Sequence, residues 1–404
     1  MSKLKLYMSQ KKPNIHTRLF LLLSFCFILT CKIQAQKTVT AIATKAGGYD
    51  IPIMIQTPEN AEGKLPVLFF IHGGGWNGGT ATEVPKASLP ADADFLGEQM
   101  GVIYVGLAYR CKGNKGTFAL AIKDLEASVK WFSDRAEKFN ADMSRIGFSG
   151  GSAGTTLSAV MAQKHPNCKL YIGSEGMYNI VDIDNELSHF PDAKSRSDYG
   201  LVTDKEILDA SPYYNLRKNP PTALLLHGKD DYLCHYTQSE RYAEKIKVHG
   251  GKAKVVLYDG INHTTRNRSY PEVLKNSVIE IASLFIEEFE IQDIDLKKIQ
   301  NLIDTELIDY YPSDEIIEKK LFGSWSNKKE QFTFNTNGKG EYIKNSKKKN
   351  LTYKIYKSFL EVDVEGEELK RKFFLRKNDR VIYQHIHENT RWKSRRNNYL
   401  KNKK

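Results

Sequence analysis

The chain has 404 residues, with 60 Lys and Arg against 48 Asp and Glu, a formal charge of +12. At 41% hydrophobic and 27% charged residues it has ample material for a core, and a chain disordered throughout, a collagen-like repeat and a multi-span membrane protein are excluded. The basic excess raises nucleic acid as a partner only if the charge sits on a folded face.

Taken in chain order, residues 1–35 carry Lys3, Lys5, Lys11, Lys12, Arg18 and Lys32 and no acid. The apolar run 19–30 follows; a spanning helix needs ~20 residues, so this run is short for one. It reads as a secretory signal cleaved after Ala35, with Met8 as an alternative start, and it predicts a secreted or periplasmic protein. Cys31 offers lipoprotein anchoring, disfavoured by the size of Thr30 before it. A retained anchor of the same residues is the other alternative.

Residues 36–290 hold 28 basic and 31 acidic side chains, which removes the reason to expect nucleic acid there. Strands are expected at 38–43, 51–56, 67–71, 102–107, 145–149, 170–172, 223–226 and 254–258. Several are short apolar runs, the pattern of strands buried on both faces. Helices are expected over 118–139, where Ala121, Leu125, Val129 and Phe132 recur at three- and four-residue spacing, and over 239–248 and 273–289. The alternation predicts an α/β layer fold with a mostly parallel central sheet. Residues 291–320 read as an amphipathic helical connector with Ile291, Ile294, Ile299, Leu302, Ile303 and Leu307 on one stripe. Residues 321–404 read as a small antiparallel β domain, with hairpin turns at Asn337-Gly338 and Glu365-Gly366 and a frayed basic end from Arg391. Cys111, Cys168 and Cys234 remain after the leader. They show no C-x-x-C spacing, so neither a metal nor a redox motif is expected, while one disulfide stays open.

The chemistry concentrates in Gly150-Gly151-Ser152-Ala153-Gly154, placed between the strand at 145–149 and a helix expected from about Thr155. A serine on a sharp strand-to-helix turn has its hydroxyl lifted clear of the sheet and helix N-terminal amides beside it. A phosphate loop would need a Lys that is missing here. Upstream, His72-Gly73-Gly74-Gly75-Trp76 follows a buried strand, so main-chain N–H groups can point into a cleft and, with the N–H of Ala153, hold an oxyanion. A serine hydroxyl needs a base, and the base an orienting carboxylate. Among ten histidines, His263 stands in a loop after a late strand and is the candidate base. Asp231, four residues past His227, is the candidate acid, and Asp230 is the fallback.

Ser152, Asp231 and His263 in this chain order, with the His-Gly-Gly-Gly loop upstream, resemble the α/β-hydrolases. The group in view is the esterases and lipases that include hormone-sensitive-lipase-like and acetyl-xylan- or feruloyl-esterase-like enzymes. The resemblance covers roughly residues 38–289. It implies a nucleophile at Ser152, an acid at Asp231, a base at His263, oxyanion donors at Gly74, Gly75 and Ala153, and no cofactor. The helix carrying Asp124 and Trp131 matches the one before the elbow. Two features depart from hormone-sensitive-lipase-like enzymes: Gly151 stands where they carry Asp, and the N-terminal cap has no room after Gln36. The one cap-sized insert, 174–221, is polar and acidic-aromatic rather than lipid-facing. These departures favour small or carbohydrate-borne esters over long acyl chains.

The terminal domain resembles lipocalin-like β domains, with Gly323-Ser324-Trp325 opening its first strand; a generic β meander is the alternative. Its 22 basic against 9 acidic side chains suit an anionic surface or glycan, or simply a solvated Lys-rich face. The expected function is a secreted serine esterase acting on small-molecule or polysaccharide esters. A peptidase or lipase on the same triad is one alternative, and a binding module with a vestigial hydrolase is the other.

Overall fold

The structure is a computed structural model. It describes residues 37–59, 63–77, 93–181, 188, 190–263, 265, 271–292, 294, 296–303, 321–326, 329–356, 359–367, 371–375, 381–386 and 395–401. The expected signal segment lies outside these residues. Among the described residues no helix is long and apolar enough to cross a membrane.

The first sheet holds eight strands in the order β1-β2-β4-β3-β5-β6-β7-β8. They are β1 (Lys37–Ala46), β2 (Tyr49–Thr57), β3 (Leu65–Ile71), β4 (Ile103–Leu107), β5 (Ala141–Gly151), β6 (Cys168–Ser174), β7 (Thr222–Gly228) and β8 (Ala253–Tyr258). β2 runs antiparallel to both β1 and β4, and every other pair is parallel. All eight expected strands are present.

β3, Leu-Pro-Val-Leu-Phe-Phe-Ile, is buried at every position. Strand side chains alternate between faces, so a continuous apolar run requires a layer on each side. Val67, Phe69 and Ile71 enter one core cluster and Leu68 another. In the first, Phe69 stacks on Phe148 at 5.2 Å and meets Phe132 edge-on at 5.6 Å. That cluster takes in the apolar faces of α2 (Phe118–Ser133), α3 (Ala153–Lys164) and α6 (Thr237–Val248). The second packs under α1 (Ala93–Met100), α7 (Pro271–Glu288) and α8 (Leu296–Leu302). Two shorter helices, α4 (Ala193–Asp198) and α5 (Asp204–Asp209), lie in the insert after β6.

Helix α2 starts as expected, with Thr117 capping it through the Leu120 N–H, but it ends at Ser133; a 3₁₀ turn, Ala136–Phe139, completes the expected span. Within the expected connector, Leu296–Leu302 is helical, and residues 304–320 lie outside the described residues. Ile299 and Ile303 are buried there, with Ile291 and Ile294 packed beside them. Leu307 lies outside the described residues.

The terminal residues form a closed barrel of β9 (Gly323–Ser326), β10 (Glu330–Phe334), β11 (Lys339–Lys344), β12 (Lys347–Tyr356), β13 (Phe359–Val364), β14 (Arg371–Leu375), β15 (Val381–Ile386) and β16 (Arg395–Lys401). Each strand pairs antiparallel with the next, and β16 returns to β9 through Leu400 opposite Ser326. The expectation of a frayed basic end is therefore corrected: Arg395–Lys401 is the closing strand. Its sequence lacks the apolar alternation that marks a strand, and its pairing with two neighbours supplies the order instead. Trp325, Phe332, Phe334, Tyr342 and Leu351 form a buried cluster that contains barrel residues and Leu321 alone.

Candidate active site

Ser152 sits between β5 and α3 at φ 54° and ψ −127°, a conformation that side chains with a Cβ rarely adopt. The helix begins at Ala153, two residues earlier than expected. The turn is held by close backbone approach. A Cβ on Gly154 would lie 2.2 Å from the Ile71 carbonyl oxygen and 2.5 Å from that of His72, so only glycine lets α3 start against the end of β3. The Ser152 N–H donates to the Ser174 carbonyl at 2.9 Å, tying the turn to β6.

The Ser152 hydroxyl lies 2.7 Å from His263 Nε2, and His263 Nδ1 lies 2.7 Å from Asp231 Oδ2. A carboxylate beside Nδ1 places the ring proton there and leaves Nε2 to accept from the serine. Asp231 is at the end of the β7 turn and His263 after β8. The two loops are joined where the Asp230 N–H donates to the Ile261 carbonyl at 2.9 Å. Asp230, the fallback acid, has an exposed side chain.

Asp231 is 2% exposed and accepts four hydrogen bonds. Oδ1 takes the N–H groups of Leu233 and Cys234 at 2.9 and 3.0 Å; Oδ2 faces His263 and, at 3.2 Å, His227 Nε2. Burial alone would push this carboxyl up, but the two histidines outweigh it and hold it well below the ordinary carboxylate range. For His263, burial pulls the imidazole down, yet the Asp231 charge and hydrogen bond prevail and leave it above its ordinary value.

His227, named in the sequence only as the residue four before Asp231, contacts that carboxylate directly. The signal was its four-residue offset from Asp231. Its Nε2 meets two acceptors, Asp231 Oδ2 and the Cys234 carbonyl at 2.7 Å, so Nε2 carries a proton, while Nδ1 lies 2.7 Å from Ser239 Oγ.

The glycine loop lies directly over Ser152. A Cβ on Gly73 would stand 2.6 Å from the Gly151 carbonyl oxygen and 3.0 Å from Ser152 Cβ. Gly74 and Gly75 both take positive φ. Ala153 is the first residue of α3, where a helix leaves its N–H without an intrahelical acceptor. The three expected oxyanion donors are thus on the two segments that meet at Ser152. Two side chains that sequence did not single out hold the loop. Trp76 Nε1–H donates to the Ala153 carbonyl at 3.2 Å, and the Tyr109 hydroxyl donates to the His72 carbonyl at 3.0 Å while its ring stacks on His72 at 4.5 Å.

The insert buries Tyr178, Phe190 and Tyr199. Tyr199 stacks on Trp76 at 4.9 Å, and Phe190 lies at 5.4 Å from the same ring. The Phe190 N–H donates to the Leu233 carbonyl, linking the insert to the acid's loop. Asp182, Asp184 and His189 lie outside the described residues. Asp124 on α2 is buried and receives Arg110 Nε and Nη2 at 2.8 Å each. Cys111, Cys168 and Cys234 are buried free thiols, and among the described residues no cluster of metal-ligating side chains occurs.

Residues 53–246 match the BD-FAE family model. That match covers just under half of the chain, and the eight-stranded sheet with its helices has the α/β-hydrolase fold of the esterases it resembles. Similar curated proteins include the probable isoprenylcysteine alpha-carbonyl methylesterase ICMEL1 of Arabidopsis thaliana, 26% identical over 51% of this chain and 47% of its own length. Another is the carboxylesterase NlhH of Mycobacterium tuberculosis (strain ATCC 25618 / H37Rv), 37% identical over 29% of this chain and 35% of its own. The chain thus spans less than half the length of these relatives. Among solved structures, the propionate-bound esterase Est2 of Thermogutta terrifontis shares the fold with a TM-score of 0.53 at 19% identity, covering 66% of this chain and 98% of its own.

Proposed function

We propose that the protein is an exported serine esterase that hydrolyses short-chain or carbohydrate-borne carboxylic esters through an acyl-enzyme. The observation that carries this reading is the continuous line of two 2.7 Å contacts from Ser152 Oγ through His263 to Asp231. In the first step Ser152 Oγ bonds to the ester carbonyl carbon as its proton passes to His263 Nε2. The carbonyl electron pair moves to oxygen beside the N–H groups of Gly74, Gly75 and Ala153. Collapse expels the alcohol, which takes the proton from the imidazolium. Water, activated by the same imidazole, then releases the acid and restores the serine.

The printed activities of the relatives, methylesterase and carboxylesterase, support an ester as the substrate class. The buried aromatics of the insert, with Phe190 and Tyr199 packed on Trp76, favour a compact acyl group. Export rests on the leader, with cleavage after Ala35. The basic terminal barrel, lipocalin-like in this reading, is assigned to contact with an anionic glycan or cell surface.

The deciding experiment measures hydrolysis of p-nitrophenyl acetate, acetylated and feruloylated polysaccharides and triglycerides by wild type and Ser152→Ala. Turnover of short or carbohydrate esters, lost in Ser152→Ala, is expected. Wild-type inactivity across the acetyl and feruloyl substrates would overturn the reading.

A further inference from the structure

One buried acid beside the triad has no part in the chemistry above. Glu175 follows β6 directly, with its backbone at φ 52° in the left-handed region. Its N–H donates to the Leu226 carbonyl at 3.0 Å, and the carbonyl just before it, that of Ser174, accepts from Ser152. Glu175 therefore stands between the nucleophile's turn and the strand that ends in His227.

Its side chain is 7% exposed, and Oε1 has no hydrogen-bond partner among the described residues. A residue serving only the turn would be glycine or asparagine, which take this backbone conformation readily and bring no carboxyl indoors. Strain and a buried acid with one oxygen unpartnered, next to the strand end that holds the Ser152 turn, point to a functional group rather than a structural one.

The described groups that act on its charge come from several neighbouring elements. His263 and the buried Thr265 hydroxyl follow β8, and the Tyr258 phenol ends that strand. His227 and Asp231 come from β7 and its turn, with the Cys234 thiol beyond them; the Tyr178 phenol follows β6. Burial pushes the Glu175 carboxyl above the ordinary glutamate range; His263, Thr265 and His227 oppose this and Asp231 adds to it. The interaction is mutual, because a charge on Glu175 holds the His263 imidazolium.

We propose that Glu175 is a second carboxyl for His263, a positioning residue that steadies the imidazolium formed as Ser152 gives up its proton. This rests on the triad reading above. The ring then answers to two acids, Asp231 fixing its tautomer and Glu175, at the end of β6, adding negative charge.

The test uses the full chain and begins without substrate. The His263 ring is titrated by ¹⁵N and ¹H NMR in wild type and in Glu175→Gln. Removing the carboxyl is expected to lower the midpoint by about 0.5 pH unit, the scale of a partly screened neighbouring charge. In the same direction, the acid limb of kcat/KM for p-nitrophenyl acetate moves to lower pH. In an Asp231→Asn background Glu175→Gln is expected to cost about tenfold more activity than in wild type, as coupled groups do.

An unshifted titration, or the same fold-loss in both backgrounds, overturns the proposal. If Glu175→Gln fails to fold, Glu175→Asp draws the carboxyl back from the ring, and a midpoint unchanged from wild type overturns it equally. The ring titration stands apart from turnover: a chain inactive on every ester still reports on Glu175, and an active chain with an unshifted titration removes Glu175 alone.

Discussion

Asp231 is satisfied from four directions, by two backbone amides and two histidines. Replacing it with Asn keeps the shape but puts an amide where only acceptors fit, and the His263 tautomer loses its reason to hold. Asp231→Asn is expected to lower kcat by about 10⁴-fold, the scale known for an acid lost from such a triad, with stopped-flow ester hydrolysis as the check. The acid limb of the pH profile carries a second test. In the proposed mechanism His263 acts as a base only when neutral, and the Asp231 charge holds its imidazole above the ordinary histidine value. Activity should therefore fall as pH drops through a midpoint above ~6.5; a kcat/KM profile flat down to pH values well below that midpoint would contradict the Asp231–His263 coupling. The sign for stability runs the same way for each partner. The depressed Asp231 contributes stability that is present above the ordinary Asp value and is lost as pH falls through its folded value. The raised His263 contributes stability that is complete below the ordinary His value and is lost as pH rises through its folded value.

At the scale of elements, the turn between β5 and α3 separates two kinds of glycine. Gly154 leaves no space for a Cβ against the carbonyls of Ile71 and His72, which are backbone and cannot swing aside. Gly154→Ala is expected to destabilise by at least about 3 kcal/mol, the upper end of overpacking costs, and to displace α3 from β3. Gly151 meets nothing within 4 Å of an added Cβ. Gly151→Ala should therefore stay within ~0.5 kcal/mol of wild type and keep its activity, since it touches no packed group. Urea unfolding beside an ester assay measures both, and equal effects of the two substitutions would contradict this account of the turn. The glycine loop is held beside Ser152 at both ends: the Tyr109 hydroxyl donates to the His72 carbonyl, and Trp76 Nε1–H donates to the Ala153 carbonyl of α3.

At the scale of the molecule there are separate cores. The sheet of β1–β8 is buried on both faces by two clusters, and the barrel residues from Trp325 to Val364, with Leu321, form a third. Trp325 is fully buried, with its Nε1–H donated to the Leu321 carbonyl at 2.7 Å. Trp325→Ala is expected to cost about 3–5 kcal/mol, as large-to-small aromatic changes in cores do. Calorimetry should show the loss in a barrel transition, with ester turnover below that transition unchanged; a shift of all unfolding together would show one cooperative core. The charge follows this division. Of the +12, residues 1–35 carry +6 and residues 36–290 carry −3, while residues 321–404 alone carry +13 against −4 in residues 291–320.

The sequence by itself determined the strands of the first sheet, because runs such as Leu-Pro-Val-Leu-Phe-Phe-Ile can be stable only between two covering layers. It also singled out Ser152, Asp231 and His263, since a Gly-rich turn and two loops after late strands are local patterns. Contacts made across the chain were not legible. Glu175 reads in sequence as a polar residue after a strand, and His227 as the end of one; the sheet order β5-β6-β7-β8 brings both to the serine's turn. Closure of the barrel was decided the same way. Arg395–Lys401 carries little apolar pattern, and its order comes from hydrogen bonds to β15 and β9, partners that the chain meets only when folded. Local periodicity records which face of an element is buried, whereas pairing between distant segments depends on the free energy of the assembled sheet, which no short window of sequence contains.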